Sequence, residues 1–483
     1  MDDKETLHGL AAIRKERMEK AIKMKQEGVN PYPHYFECTT TNKKILDSHQ
    51  KLKPGEKTSD NVSIAGRIMT MRIMGKAGFA DLLDASGKIQ IYVRKDEIGD
   101  KSYSQFCETD IGDFFGVHGT VFRTKTGETS VWASDLVLLS KSIRPLPEKW
   151  HGLKDVEARY RMRYLDLLVN SSVRDIFKKR TEFIQRIRNY FISRGFLEVE
   201  TPMMQTHAGG AMAKPFVTFH NALDMHLYMR IAPELYLKRL LVGGIEKVFE
   251  LGRSFRNEGI STRHNPEFTM LEVYQAYIDY HKVMDMCEEL ITEVLGCSDK
   301  EVIEYQGKKI ELKRPWPRVS LNELIKKYAG VDLEKQELTS AAKQVGIEIT
   351  EGTPKHKILD HIFDQFAKEH LINPVFVTEW PQEFSPLAKA MDDDPSKAER
   401  FELYIGGLEL ANGYSELNDP EAQRRNMEGQ GDVDEDYISA LEYGMPPAGG
   451  LGIGIDRLVM LACNASSIRD VILFPCLRPR ENL

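Results

Sequence analysis

Across 483 residues the sequence has only six cysteines, and Cys38, Cys107, Cys287, Cys297, Cys463 and Cys476 are scattered with no C-x-x-C pair. That spacing excludes a disulfide frame and a cysteine-built zinc site, and it predicts a reducing, cytoplasmic setting. Long apolar runs are also missing, since the longest, near the C-terminus, is interrupted by Asp456 and Arg457. No segment is expected to span a membrane. The opening residues, Met1 to Thr6, carry no apolar stretch behind a basic head, so no secretory leader is expected. Positive charge is not in excess, 66 Lys and Arg against 73 Asp and Glu leaving a net charge of −7. Bulk attraction to a polyanion is thereby excluded, and any nucleic-acid contact has to be local. Nucleotide-loop signatures are absent too: there is no G-x-x-x-x-G-K-[ST] and no complete G-x-G-x-x-G. What remains, 41% hydrophobic and 29% charged residues, is a globular composition at a length that suits two or three compact units.

Ile13 to Gln26 is a charged helical stretch closed by Gly28, and Pro31, Pro33 and the pair Pro54-Gly55 mark irregular chain behind it. Residues 1–59 read as a basic helical extension whose plainest form is a solvated surface helix. From Asn61 to Ser140 short β-branched runs alternate with glycine turns. Five strands at that spacing predict a small barrel of the oligonucleotide-binding type over residues 60–145. Arg72, Phe79 and Gln90 fall on or between its early strands. An exposed aromatic beside an Arg is a platform for stacking a base, while a core Phe beside a solvated Arg accounts for the same spacing. Ser142 to His151 carries two prolines and joins the barrel to a larger unit, residues 146–483.

In that unit a helix is predicted from Ser172, with Val173, Ile176, Phe177, Phe183, Ile187 and Phe191 at helical spacing, Asp175 at the capping-box position and Gly195 as terminator. A short strand ended by Pro202 follows. His226 to Ile231 then reads as a strand, Pro233 to Val242 as a helix and Lys247 to Arg256 as a second strand. Alternation puts Glu250, Gly252, Ser254 and Arg256 on one face, where small residues beside a guanidinium leave room for a bulky anion. A surface Arg at a strand end explains this strand equally when it is taken alone. The partner, Phe268 to Tyr277, lines up Phe268, Met270, Glu272 and Tyr274, and a carboxylate inside an apolar strand needs a partner. Between them the polar loop Asn257 to Glu267, with Glu258, Arg263 and His264, suits closure over phosphates. A hairpin turning at Gly406-Gly407 sets Tyr404 opposite Glu409 and Glu402 opposite Ala411, which brings Glu402 and Glu409 onto one face. Two such carboxylates repel unless a cation lies between them, and Mg²⁺ shared with ligand phosphates meets that need; a pair of exposed edge charges is the other reading. Finally, Gly449 to Arg457 is a glycine-rich strand feeding a helix, with Arg457 placed so that its guanidinium could cover an aromatic base.

Together these segments resemble the class II aminoacyl-tRNA synthetases, and within them the lysyl-tRNA synthetases of bacterial type. The resemblance covers nearly the whole chain. It is carried by GFLEVETP up to Pro202, by FRNE (Phe255 to Glu258) through RHNPEFTMLE, and by GLGIGIDR; lysine in particular is pointed to by IAPELYLKRL, ELANGYSELND and the barrel segment RIMGKAGF. Class I signatures of the HIGH and KMSKS type are missing. The resemblance implies an α+β fold, with an N-terminal OB-fold barrel that binds the anticodon and an antiparallel catalytic sheet flanked by helices. A helical insertion around residues 281–400 interrupts the catalytic part, and no chemistry is assigned to it.

The same resemblance implies residue roles. Arg256 holds the amino-acid carboxylate and the α-phosphate, Arg457 covers the adenine opposite Phe268, and Glu258 and His264 serve the ATP phosphates. Glu402 and Glu409 carry Mg²⁺. Gly210 and Glu234 take the α-amino group of lysine, Asn412 lies near its carboxylate, and Glu272, Tyr274 and Glu416 hold its ε-ammonium. Simple alternation puts Asn412 on the face opposite Glu409, so the strand has to twist or end there. Arg72, Phe79, Gln90 and Glu128 read a uridine-rich anticodon. The implied activity is ATP-dependent ligation of L-lysine to tRNA(Lys) by a cytoplasmic homodimer with no membrane contact. A relative charging Asp or Asn shares these motifs, but Glu272 and Glu416 would repel an acidic substrate. A regulator without catalysis has no need of Arg256, Arg457, Glu402 and Glu409, and an enzyme making dinucleoside polyphosphates without tRNA has no need of Phe79.

Overall fold

The computed structural model describes residues 3–147, 153, 155–296, 302–431 and 433–479, so Cys297 and the end of the proline-containing joint lie outside the described residues. Two compact units emerge, Met1–Gly152 and Leu153–Leu483.

The first unit is built on one long strand. β1 (Lys57–Met74) pairs with β2 (Ala77–Leu83) through its second half and with β4 (Phe114–Arg123) through its first. A register shift between Ile68 and Thr70 lets it bend from one partner to the other. With β3 (Lys88–Arg94) and β5 (Thr129–Ser140) the sheet closes in the order β1-β2-β3-β5-β4, and the β3–β5 contact is parallel. Inward-facing Ile64, Ile68, Leu82, Ile91, Val117 and Val131 fill the barrel. At Gly119 a Cβ would stand 2.2 Å from the Trp132 carbonyl oxygen, so only glycine lets the strands approach there. The N-terminal helix Asp3–Gln26 joins this core through Met24, while Arg17 donates to the carbonyls of Ile111 and Ser142 and Lys20 pairs with Asp110. From Arg17 onward one face of this helix is thus fastened to the barrel, whereas residues 9–16 are exposed.

The second unit carries the strands β6 (Leu197–Glu198), β7 (Met204–Gln205), β8 (Val217–His220), β9 (Met225–Met229), β10 (Lys247–Phe255), β11 (Glu267–Ala276), β12 (Val302–Tyr305), β13 (Lys308–Glu311), β14 (Arg318–Ser320), β15 (Val375–Thr378), β16 (Arg400–Ile405), β17 (Leu408–Ser415) and β18 (Ala448–Gly454). Eight of them form one sheet, in the order β14-β15-β16-β17-β18-β11-β10-β6, antiparallel except at its two edges. One face is covered by the helices Ser171–Ser193, Tyr280–Leu295 and Ile455–Ala462, whose apolar stripes meet Phe249, Leu271, Val273, Leu451 and Ile453. The opposite face is left to the site. The first of these helices starts one residue earlier than expected, and its N-cap Asn170 makes no side-chain cap bond, so the capping box at Asp175 does not form. Gly195 does end it, at φ +80°.

The hairpin between β16 and β17 corrects the expected register. Gly406 and Gly407 both take positive φ and Tyr404 stands opposite Glu409, but a bulge after Tyr404 then pairs Leu403 with Ala411 and Glu402 with Asn412. Leu410 is the extra residue, and both it and Ala411 point into the core. Glu402 therefore faces Asn412, not Ala411. The same bulge removes the alternation problem at Asn412, because it shifts the site face of β17 from Glu409 to Asn412 and Tyr414.

Candidate functional site

On the free face of the sheet lies a cavity of about 920 Å³. Its floor follows from strand register. β10 and β11 pair Glu250 with Glu272, Gly252 with Met270 and Ser254 with Phe268, and β11 and β18 pair Glu272 with Gly452 and Tyr274 with Gly450. Gly252, Ser254, Gly450 and Gly452 thus face larger residues across the floor and leave room above it, as the small residues beside Arg256 predict. At Gly450 a Cβ would come within 1.8 Å of the Glu416 carboxylate and 2.7 Å of the Tyr274 ring, so the glycine is required by space.

One end of the cavity is cationic. Arg256, just past β10, sits over the Phe268 ring at 5.2 Å, and its Nε has no hydrogen-bond partner although it is buried. Arg457, in the first turn of the helix Ile455–Ala462, donates to the Glu409 carbonyl at 2.8 Å and to its carboxylate at 3.2 Å, and lies 3.2 Å from His264 Nε2. Burial first, and then the Arg457 charge, hold the His264 imidazole below its ordinary value, so it is neutral and can accept from the guanidinium. Glu258 also lines this end. Behind it, Asp456 receives Arg180 at 2.6 Å and the Thr269 backbone N–H at 2.8 Å, which ties the long helix, β11 and the Arg457 helix together.

The other end is acidic and closed from water. Glu234 starts the helix Glu234–Val242, and its carboxylate accepts from the Tyr414 hydroxyl at 2.5 Å and from Lys238 Nζ at 2.6 Å. Gly210, at φ +86°, passes so close that a Cβ would touch the Cβ atoms of Ala232 and Glu234. Glu272 accepts from the Tyr274 hydroxyl at 2.9 Å, and burial, followed by the nearby charge of Glu234, pushes its carboxyl up to about 8. Its cross-strand neighbour Glu250 is neutralised separately, by the buried Arg230. Glu416 is fully buried and pairs with Lys238.

Gly210, Glu234, Arg256, Glu258, His264 and Phe268 all line the cavity, as do Glu272, Tyr274, Glu409, Asn412 and Arg457. Glu402 and Glu416 do not. Glu402 lies behind the wall, held by Arg400 at 2.5 Å and by the Tyr404 hydroxyl at 2.6 Å, and Glu416 lies beneath the floor at Gly450. Burial, against the pull of Arg400 and with the repulsion of Glu409, lifts the Glu402 carboxyl to about 7; Glu409, despite its own desolvation, is held low by Arg457. The two carboxylates thus feel one another, which is the condition a divalent cation relieves. Among the described residues no group of three His, Cys, Asp or Glu forms a complete metal cage, and a pair of carboxylates fits Mg²⁺ when phosphates supply the other ligands.

Several participants escaped the sequence reading. Lys238 sits four residues after Glu234 on a buried helix face, a spacing that could have revealed it. Arg400 bridges Asn412 at 3.1 Å, Glu402 and the Ser385 hydroxyl. His356, Glu383 and Phe384, from the stretch with no assigned chemistry, form part of the cavity rim, and nothing local in the sequence marks them.

On the barrel, Arg72 stands opposite Phe79, and Phe79 opposite Tyr92 with ring centroids 4.6 Å apart. Tyr92 packs on Trp132 at 4.9 Å, so the Phe belongs to an aromatic row that sequence spacing did not reveal. Gln90 donates to Glu128 at 3.0 Å and accepts from Ser130. The four barrel residues singled out therefore form two neighbouring pairs on one run of strands.

Comparison with known proteins agrees in both units. Residues 155–478 match the family described as tRNA synthetases class II (D, K and N), and residues 62–139 match the OB-fold nucleic acid binding domain. The chain is 54% identical over 486 residues to a lysine–tRNA ligase of Carboxydothermus hydrogenoformans, covering 97% of this chain and 98% of that one. It is 52% identical over 489 residues to a lysine–tRNA ligase of Syntrophomonas wolfei, covering 98% of each. Such identity across the full length, added to the register that sets Arg256, Arg457 and Glu272 round one cavity, places the chain in the class II tRNA synthetases of the D, K and N family, among the lysyl-tRNA synthetases.

Proposed function

We propose that this protein activates L-lysine with ATP and transfers the lysyl group to the 3′ end of tRNA(Lys). The observation that carries this reading is a single cavity with guanidinium groups at one end and buried carboxylates at the other, matching a substrate pair that is anionic where it reacts and cationic at its side chain. Lysine enters as a carboxylate and attacks the α-phosphate in line, forming the acyl–phosphate bond as the bond to pyrophosphate breaks; no general base is required. Arg256 aligns the carboxylate with the α-phosphate and meets the charge that grows there, which its unpartnered Nε leaves it free to do. Adenine stacks between Phe268 and Arg457, with Glu258 and His264 beside the phosphates. Glu409 on the cavity wall and Glu402 behind it would hold Mg²⁺ brought in with ATP, and the ion would supply charge that offsets the phosphates. Asn412 orients the amino-acid carboxylate, Gly210 and Glu234 receive the α-amino group, and Glu272 and Tyr274 form the acidic end that meets the ε-ammonium, with the charge of Glu416 beneath the floor behind them. The 3′ hydroxyl of tRNA then takes the lysyl group and AMP leaves.

The barrel reads the anticodon, with Phe79 as the stacking ring and Arg72, Gln90 and Glu128 as polar contacts. Exposed Ile192, Leu197, Met203 and Met204, beside the edge strand β6, support a homodimer formed along that edge. Scattered unpaired cysteines support a cytoplasmic setting, and no described helix is long and apolar enough to cross a membrane. ATP–pyrophosphate exchange with each of the twenty amino acids tests the reading. Exchange with lysine alone supports it, exchange with another amino acid reassigns the pocket, and none from folded protein sinks it.

A further inference from the structure

The acidic end of the cavity contains an ammonium of its own. Lys238 is fully buried, and its Nζ bridges Glu234 at 2.6 Å and Glu416 in direct contact. Around it stand Tyr414, whose hydroxyl shares the Glu234 carboxylate and whose ring lies 5.4 Å from Nζ, and Tyr437 of the helix Glu435–Glu442; Tyr274 and Glu272 of β11 stand across from Glu416. No cation other than Lys238 contacts Glu234 or Glu416 among the described residues. Both Glu416 oxygens, although fully buried, lack any hydrogen-bond donor of proper geometry, so the ion pair is what holds that carboxylate. Three carboxylates thus converge, one internal ammonium bridges two of them, and Glu272 is left with only a phenol.

We infer that Lys238 is a positioning residue for lysine recognition: its ammonium bridges Glu234 and Glu416, fixes both carboxyl groups and favours the carboxylate form of Glu416, so that the acidic end is short of positive charge until the substrate's own ammonium arrives. This rests on reading the cavity as the lysine pocket. The physical ground is that burial pushes the Glu416 carboxyl well above its ordinary value while the Lys238 charge pulls it back down, so the ammonium is what opposes protonation there. With Lys238 replaced by a neutral side chain, nothing opposes protonation of Glu416, and the proton it takes up has to be expelled when lysine binds. Binding then becomes coupled to one more proton, and the loss of affinity deepens by about tenfold per pH unit as pH falls.

The test compares wild type, Lys238→Met and Lys238→Arg. KM for lysine and kcat are read from ATP–pyrophosphate exchange between pH 6.5 and pH 8.5, a range chosen to straddle neutrality. Calorimetric titration of lysine in buffers of different ionisation enthalpy gives the protons released. Lys238→Met is expected to release about one proton more than wild type at neutral pH and to raise KM at least tenfold there, the ratio to wild type shrinking as pH rises, while KM for ATP holds. Lys238→Arg, which keeps the charge, should return the proton count to that of wild type. A merely structural lysine would weaken Lys238→Met by the same factor at every pH with no extra proton, and that result overturns the inference. If Lys238→Met does not fold, Lys238→Gln, which retains a donor without the charge, takes its place with the same expected proton count. Failure of the wild type to exchange with lysine has a different signature, because it removes the lysine pocket itself.

Discussion

At its cationic end the cavity keeps Arg457 and His264 in reach of solvent, with Arg457 22% exposed, whereas at its acidic end Glu234, Glu272 and Glu416 are 5%, 3% and 0% exposed. The ion pairs differ accordingly. Arg457 contacts Glu409 and His264 through bonds near 3 Å that incoming phosphate oxygens can replace, so its partners are exchangeable. Lys238 is enclosed, and nothing in solution competes for it. A water-facing end tolerates a change of partner during the reaction; a buried end has to settle its charges beforehand, because an unpaired buried ion costs several kcal/mol. The first arrangement suits a place where charge develops, and the second suits recognition by counting charges.

The hardest test of this contrast is Arg256→Ala. With the guanidinium gone, charge growing on the α-phosphate meets no fixed cation over Phe268, and kcat for pyrophosphate exchange should fall by about 10²–10³. Because the buried Arg256 Nε has no hydrogen-bond partner, removing the guanidinium breaks no internal bond there, and the melting temperature should hardly move. A large loss of stability with kcat intact would reverse the comparison.

At the buried end Glu272→Gln should act mainly on KM for lysine, raising it about 10²-fold, since an amide cannot replace the charge that faces an ammonium. The wild type supplies a pH signature. Its Glu272 carboxyl, pushed up to about 8 first by burial and then by Glu234, carries a proton in the empty pocket at neutral pH. A bound ammonium favours the carboxylate, so binding expels that proton, and KM for lysine should fall as pH rises towards 8 and then level off. In Glu272→Gln that portion of the slope should vanish. A profile unchanged by the substitution would show that another group titrates.

How far the sequence revealed the two ends follows the same division. Arg256, Phe268, Glu272 and Tyr274 were legible because strict alternation on β10 and β11 survives in the fold, with Gly252 against Met270 and Ser254 against Phe268 on the site face. Glu402 and Asn412 were misplaced because a bulge adds one residue, Leu410, and no local pattern announces it. Lys238 was passed over because a lysine on a short helix is ordinarily a surface residue, and its burial is set by Glu416, far along the chain. The rim residues His356 and Glu383 come from long-range packing alone. In the barrel, Phe79 was visible but its row with Tyr92 and Trp132 was not, since that row crosses the β3–β5 contact, which joins strands separated by another strand and a helix. Local spacing reports faces, while the pairing of distant charges and rings is a property of the closed sheet.

The barrel extends the comparison to a site with no buried charge. Phe79→Ala should leave pyrophosphate exchange untouched, because activation of lysine does not use the barrel. It should raise KM for tRNA in aminoacylation by about 5- to 100-fold, the range of one lost stacking contact of about 1–3 kcal/mol. An equal loss in exchange would mean that the substitution had damaged the fold and had not removed a base contact.

The smallest effect is expected where the geometry of an ion pair looks best. Arg424 grips Glu435 with two bonds of 2.7 Å, as close as the Lys238 contact with Glu234, and the side chains are 33% and 66% exposed. If short distances decided the worth of a charge pair, Arg424→Ala would rival Lys238→Met. If burial decides it, water and salt already solvate Glu435 when the guanidinium is removed, and neither the melting temperature nor exchange should change measurably. Parallel melts of Arg424→Ala and Lys238→Met separate the two accounts, since only the second leaves carboxylates with no solvent to turn to.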